Sequence, residues 1–365
     1  MFFLTIISET LLYLCFSLLI GAYIFAIIPT NRKPAIYISS TIKLLAVLGI
    51  TILSFIPLIQ IITHLSQAYG FGSAAQTVLL SFKIGNAWLF TFILSIVLGF
   101  YITLTDDNQD KKTAWGGLAL VVFLAIGVAW SSHAGSVEGI YGVFIHAMHF
   151  IAVIIWVGCL LLVSWFAKDL HNWNRFLTWF HPTAIACFLF IMISGLLLMN
   201  AIINFQQYTD SYLVSYGQSL LIKHLFILPL FIYAFINGYW MKKKLTTDST
   251  FNPKPWVRAE FLIILLIFIV TGVMNEQSPP FQIENLIQSS GYAPILEMFY
   301  HGPIDGNQVT LMWNSSTIFF AVIALCLTIS MYVFKTKMSA TLSFMLALCL
   351  VLTTYITFIQ SIIII

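Results

Sequence analysis

GIYGVFIHAMHFIAVIIWVGCLLLVSWF, residues 139–166, runs its whole length without an Asp, Glu, Lys or Arg. A helix needs about 20 apolar residues to cross the hydrocarbon core of a bilayer, so this stretch is long enough to span one. It has company. Stretches of the same kind occupy roughly residues 3–28, 37–63, 86–104, 114–131, 175–203, 217–240, 257–275, 312–334 and 338–362, each closed by a polar cluster. The pattern predicts an all-α fold, a polytopic membrane helix bundle of about ten transmembrane helices.

Composition agrees. Of 365 residues, 60% are hydrophobic, 16% aromatic and only 8% charged, and the mean hydropathy is +0.97. A soluble domain carries roughly 25% charged residues, so this chain cannot build a water-facing surface. Soluble enzymes, nucleic-acid binders and disordered proteins are excluded, and no nucleic-acid partner is expected. The N-terminal run is too long for a signal peptide and lacks its basic start and small-residue cleavage site, so it counts as the first span.

Five cysteines, Cys15, Cys159, Cys187, Cys326 and Cys349, stand singly in apolar stretches with no C-x-x-C among them. That spacing argues against metal-pumping ATPases and disulfide-stapled ectodomains. No G-x-x-x-x-G-K-[ST] run offers ATP hydrolysis. Nor is there an H-E-x-x-H, a G-x-S-x-G or a paired intramembrane Asp, and the chain is not expected to be an enzyme.

Basic residues give the bundle a direction. Arg32, Lys33, Lys111, Lys112, Lys168, Arg175, Lys242, Lys243, Lys244, Lys254, Arg258, Lys335 and Lys337 fall in alternate connections, the other connections hold only Lys83, and Lys43 and Lys223 lie inside spans. By the positive-inside rule both termini face out. The alternation also supports the span count, since one missed helix would scramble it. The long outward loops are 64–85 and 276–311, and the second has no Lys or Arg but carries Glu276, Glu284, Glu297, Asp305, His301 and Met298. An acidic outer loop can attract cations, and it also serves as a solvated cap.

Ionisable groups inside spans cost about 2.5 kcal/mol or more on insertion scales, so each is a candidate for function. His133 closes the fourth span, in Ser131-Ser132-His133-Ala134-Gly135. His146 and His149, three residues apart on the fifth span, share a helix face and can offer two nitrogens to one metal. His224, beside Lys223 on the seventh span, and His146 each lie about seven residues from the outer end of their span, which is roughly 10 Å deep. Imidazole and thioether suit copper, Met especially the cuprous ion. Met192 and Met199 on the sixth span and Met274 on the eighth fall in the same outer half, as does Glu9 on the first, which could draw in a cation or take a proton. Each His also has a structural reading as a helix–helix hydrogen-bond partner, and each Met as packing. His64, His171 and His181 look structural or interfacial, and Glu260, with Asn237, is read as helix–helix hydrogen bonding.

Around these residues the sequence resembles the copper resistance D (CopD) family, whose core is a bundle of eight spans. The resemblance is carried by Ser132-His133-Ala134, and by His149 followed by Ala152, Trp156, Val157 and Gly158. It continues with Arg175-Phe176 and Gly195 in the sixth span, Tyr216-Gly217 with Leu220 and Lys223, Asn237, and Arg258-Ala259-Glu260 leading to Pro279-Pro280. It covers about residues 1–280 and implies a CopD-like core there, an extracytoplasmic loop at 281–311 and an additional two-helix segment at 312–365. His146 stands where many relatives carry an acidic residue, and His181 where a small polar residue is common.

The resemblance implies copper transport across the plasma (inner) membrane toward the cytoplasm, with a copper ion as the bound species. The expected metal ligands are His133, His146, His149, His224, Met274 and Glu9. No soluble copper-binding domain is appended, so a delivery partner of the CopC type is expected to be a separate extracytoplasmic protein. Two alternatives use the same residues: a b-type haem cytochrome with His146 and His224 as axial ligands, and an assembly factor that binds copper without transporting it.

Overall fold

The computed structural model describes residues 2–105, 110–203, 205–248, 251–300, 302, 306–333 and 338–365. Ten helices among the described residues are long and apolar enough to cross a membrane: Phe2–Ile27, Ser40–Tyr69, Lys83–Leu104, Lys111–Trp130, Gly139–Phe166, Trp173–Ile202, Ser215–Thr247, Lys254–Asn275, Ser315–Val333 and Ala340–Ser361. These are the ten spans expected from the sequence, numbered here in chain order, and the all-α polytopic bundle is borne out. Lys335 and Lys337, used above for the charge alternation, and His301 and Asp305 of the acidic loop lie outside the described residues.

The chain divides into two compact units, 1–201 and 202–365. In the first unit the first span is the hub. Leu12, Phe16, Leu19, Ile20 and Tyr23 are buried against Val47 and Ile50 of the second span, Leu98 of the third, Val121 and Leu124 of the fourth, and Phe150 and Ile154 of the fifth. Lipid tails supply no hydrophobic drive between helices, so close association needs small residues that let backbones approach. Gly21 and Gly158 meet that need where the first and fifth spans cross. A Cβ on Gly158 would lie 2.3 Å from the Ser17 carbonyl oxygen, and one on Gly21 would lie 2.6 Å from that of Gly158.

The sixth span is little buried, with 11% of its apolar window covered. Its N-terminal end is tied by Trp179 Nε1 donating to the Arg32 carbonyl at 2.9 Å and by Arg175 to the Asn31 carbonyl at 3.3 Å. The loop expected at 64–85 proves helical. The second span runs on to Tyr69, Gly70 turns with φ 77°, and a helix over Phe71–Ser81 packs Ala74 and Val78 onto Leu58 and Ile62. Near a membrane, backbone groups must be satisfied internally, and a helical hairpin does this where an open loop would not.

In the second unit the seventh and eighth spans run antiparallel. Ser219 donates to Gln277 at 2.8 Å near one end, and Asn237 donates to Glu260 at 2.6 Å toward the other. The tenth span packs on both, tied to the seventh by Tyr355 donating to Gln218 at 2.7 Å and Tyr233 to Ser343 at 3.0 Å. The ninth leans mainly on the tenth, touches the seventh where Tyr332 meets Phe235 with ring centroids 6.0 Å apart, and buries only Thr317 and Met331. The described residues of 276–311 form a cap, with helices at Ile283–Ser290 and Pro294–Phe299 and a strand β1 (Val309–Leu311) paired antiparallel with β2 (Ile362–Ile364). Asp210 accepts from the Val309 amide at 2.7 Å, and Leu213 from the Ala293 amide at 2.8 Å, joining the cap to residues 205–213. Two spans carry a π-helical turn, Leu162–Phe166 on the fifth and Ile236–Trp240 on the seventh.

Candidate metal site

The first unit holds four of the expected ligands. His133 opens a short helix, His133–Val137, whose N-cap Ser132 accepts from the Gly135 amide at 3.1 Å. Lys83 Nζ donates to the Gly135 carbonyl at 2.5 Å. This helix rests on the first turn of the fifth span so closely that a Cβ on Gly142 would lie 2.0 Å from the Ala134 carbonyl oxygen. His133 itself is exposed at that lip. His146 and His149, both half-buried, follow Gly142 at about 6 and 10 Å along the helix axis.

His149 is anchored to the sixth span. Its Nδ1 lies 2.9 Å from Ser194 Oγ, and that hydroxyl also bonds the Phe190 carbonyl at 2.6 Å. With the hydroxyl proton given to Phe190, Ser194 Oγ accepts from His149 Nδ1–H and the ring lone pair falls on Nε2. A metal-binding imidazole is oriented in this way by a hydrogen bond on its other nitrogen. Gly195 lets the sixth span come up beneath the ring, since even a Cβ there would make only ordinary contact with Cε1 at 3.5 Å.

Glu9 is half-buried on the first span. Phe150 packs against Tyr13 and Phe16, with ring centroids 5.6 and 5.2 Å apart. The first and fifth spans run in the same direction, so one turn before Phe150 and Tyr13 stand His146 and Glu9, at like depth. Met192 and Met199 of the sixth span are half-buried.

The second unit holds His224 and Met274. Between the ties Ser219–Gln277 and Asn237–Glu260, the antiparallel register sets His224 level with Gly272 and Val273, next to the buried Met274. His224 Nδ1 lies 2.6 Å from the Tyr208 hydroxyl. Burial raises the Tyr208 hydroxyl above its ordinary range, so at neutral pH it keeps its proton. With that proton donated to Nδ1, His224 is neutral and carries its hydrogen on Nε2. To ligate a metal through Nε2 the pair would shift its proton, Nδ1–H then donating to the phenol oxygen.

Among the described residues no three His, Cys, Asp or Glu side chains converge in a way that could hold a metal ion. What the fold assembles is smaller: the His146/His149 face with Glu9 at like depth in one unit, and the His224–Met274 level in the other. His64 and His171 are exposed and His181 is half-buried. Sequence reasoning missed Ser194 and Tyr208. A lone Ser beside Gly195 in an apolar span was a signal for the first, whereas Tyr208 lies outside the spans and nothing local marked it.

Comparison with known families closes the identification. The family model "Copper resistance protein D-like, N-terminal domain" matches residues 2–143, and "Copper resistance protein D" matches residues 174–274. No curated protein and no solved structure matches the chain significantly. The two matches together take in the first four spans, the sixth, the seventh and the eighth to Met274, in the order that the motifs suggested, and the chain belongs to the copper resistance protein D family.

Proposed function

We propose that this protein carries copper across the plasma membrane toward the cytoplasm. Membership of the family ties the chain to copper resistance and uptake, and ten candidate spans make it a multi-pass membrane protein. In this reading copper is the cargo. It arrives at the lip where His133 is exposed and is taken by His146 and His149 on one face of the fifth span, with Glu9 at their depth to compensate its charge. His224 and Met274 form a second, softer pair in the other unit.

The observation that carries the reading is the His149–Ser194 contact, which orients a half-buried imidazole in an apolar span. Imidazole and thioether suit copper. Few ligands at each level also suit a carrier, because conduction needs binding weak enough for release. In this reading the delivery partner is an extracytoplasmic copper-binding protein of the CopC type, and the lip is taken to face outward because basic residues are concentrated in the opposite connections.

The test is copper uptake by proteoliposomes containing the full chain, paired with metal analysis of the purified protein after exposure to cuprous copper. Bound copper that falls when His146 and His149 are both changed to Ala, together with uptake that falls in parallel, is the expected outcome. Binding without uptake would make the protein a copper-holding assembly factor. Stoichiometric iron with a haem spectrum would overturn the reading.

A further inference from the structure

Of the five cysteines, Cys159 and Cys187 are the buried ones, at 0% and 9% exposure, and both are free thiols. They lie on the fifth and sixth spans, successive and antiparallel, whose shared seam is marked at two levels. His149 Nδ1 lies 2.9 Å from Ser194 Oγ, and the rings of Trp156 and Phe188 meet edge to face with centroids 6.0 Å apart. Trp156 follows His149 by seven residues and Cys187 precedes Ser194 by seven, a full heptad in each case, so all four keep to the seam. Cys159 is the next seam position, one turn beyond Trp156. Measured by helical rise away from the His133 lip, Cys159 is about 4.5 Å past Trp156 and Cys187 about 1.5 Å past Phe188, which sets the two within about 3 Å of one level. They stand within electrostatic reach of each other.

Thiolates select cuprous copper. Among the described residues no third His, Cys, Asp or Glu joins the pair; zinc takes four ligands, whereas the closed-shell cuprous ion accepts two in a line. A second observation points to a ligand at this level. Trp156, 3% exposed, buries its Nε1–H without an acceptor among the described residues, one turn from Cys159. An orphaned buried donor is costly, and a thiolate sulfur is the acceptor that metal binding would create beside it. We propose that Cys159 and Cys187 form a cuprous-copper site, a two-coordinate thiolate pair about 15 Å along the fifth span from His149.

Binding exchanges hydrogen for copper. Two S–H bonds break, two Cu–S bonds form and two protons pass to water, while the ion stays cuprous and no electron moves. The site goes from neutral to a single negative charge, which the Trp156 N–H meets as a charge-assisted donor. Release returns two protons to the sulfurs. The identity of the ion rests on the copper reading above, in which imidazoles receive it; here softer thiolates take it over by ligand exchange. No C-x-x-C announces the pair, because its sulfurs come from different spans.

The test is X-ray absorption at the copper edge of the full-length protein loaded with cuprous copper, for the wild type, Cys159→Ser, Cys187→Ser and, as a control, Cys326→Ser. The wild type is expected to show a copper–thiolate component that either seam variant loses and the control keeps. Trp156→Phe leaves both sulfurs in place and is expected to weaken the affinity of that component about tenfold or more, as removal of a hydrogen bond to a charged group does. It supplies a second readout if a serine variant folds poorly. Copper held only by nitrogen and thioether, or a thiolate component that both serine variants keep, overturns this proposal and leaves the His146 and His149 reading intact. A thiolate component that persists unchanged, with uptake, when His146 and His149 are both changed to Ala leaves this site standing and overturns that reading. A protein that binds no copper overturns both.

Discussion

Ser194→Ala is the most informative single change, because it replaces no proposed ligand and acts through its contact with His149. Ser194 is 4% exposed, so water does not replace the lost hydroxyl. The ring then has no acceptor for Nδ1–H, and the tautomer with hydrogen on Nε2, which cannot ligate there, becomes populated. A net hydrogen bond contributes about 0.5–1.5 kcal/mol, which at about 1.4 kcal/mol per decade is roughly a two- to twelvefold loss in affinity. Loss of such an orienting partner typically costs 10–100-fold, and the two ranges meet at about tenfold. The assay is competition for cuprous copper against a chromophoric chelator, on the wild type, Ser194→Ala, His149→Ala and the double variant. Ser194→Thr, which keeps a hydroxyl able to bond back to Phe190, is expected to retain most of the affinity. In the His149→Ala background Ser194→Ala should have no further effect, which is the signature of coupled residues. Wild-type affinity in Ser194→Ala, or additive losses in the double variant, would refute the argument.

Other consequences follow from packing, charge and the cap. Gly158→Leu forces side-chain atoms into the Ser17 backbone and should destabilise the first unit by more than the about 1–3 kcal/mol of ordinary overpacking; an unchanged midpoint of thermal unfolding in detergent would contradict the crossing described. Burial, and then the charge of Lys111, lowers the Lys33 ammonium from its ordinary value to about 8. The unfolded chain therefore binds more protons than the folded one above that pH, and stability should rise as pH climbs from about 8 toward about 10. In Lys33→Met this rise disappears, and a wild-type profile that is flat or falling over the window would exclude the effect. Asp210→Ala removes the acceptor of the Val309 amide, a charge-assisted bond contributing about 1.5–3 kcal/mol. The cap should then be cut faster in limited proteolysis, and an unchanged rate would show that the β1–β2 pairing holds it alone.

How much of this was legible beforehand depends on range. His146 and His149 could be assigned to one face from their spacing alone, because helical periodicity is local. Ser194 could not be paired with His149, since 45 residues and a turn of chain separate them and only packing of the sixth span on the fifth brings them together. The sequence marks 64–85 only as a long loop, yet Ala74 and Val78 fold it back on Leu58 and Ile62, a tertiary contact that a polar-cluster rule cannot see. Tyr208 and the strand pairing of Val309 with Ile364 were invisible for the same reason.

By itself the sequence determined that the chain is a ten-span membrane bundle, and that its basic residues fall in alternate connections. The cost of burying charge in hydrocarbon writes both into composition and placement. Tertiary structure alone decided which groups meet: that Ser194 bonds His149, that Tyr208 bonds His224, and that Asn237 bonds Glu260. These are contacts between helices, and helix–helix register in lipid is set by interdigitating small residues and single hydrogen bonds, which no local pattern in the chain records.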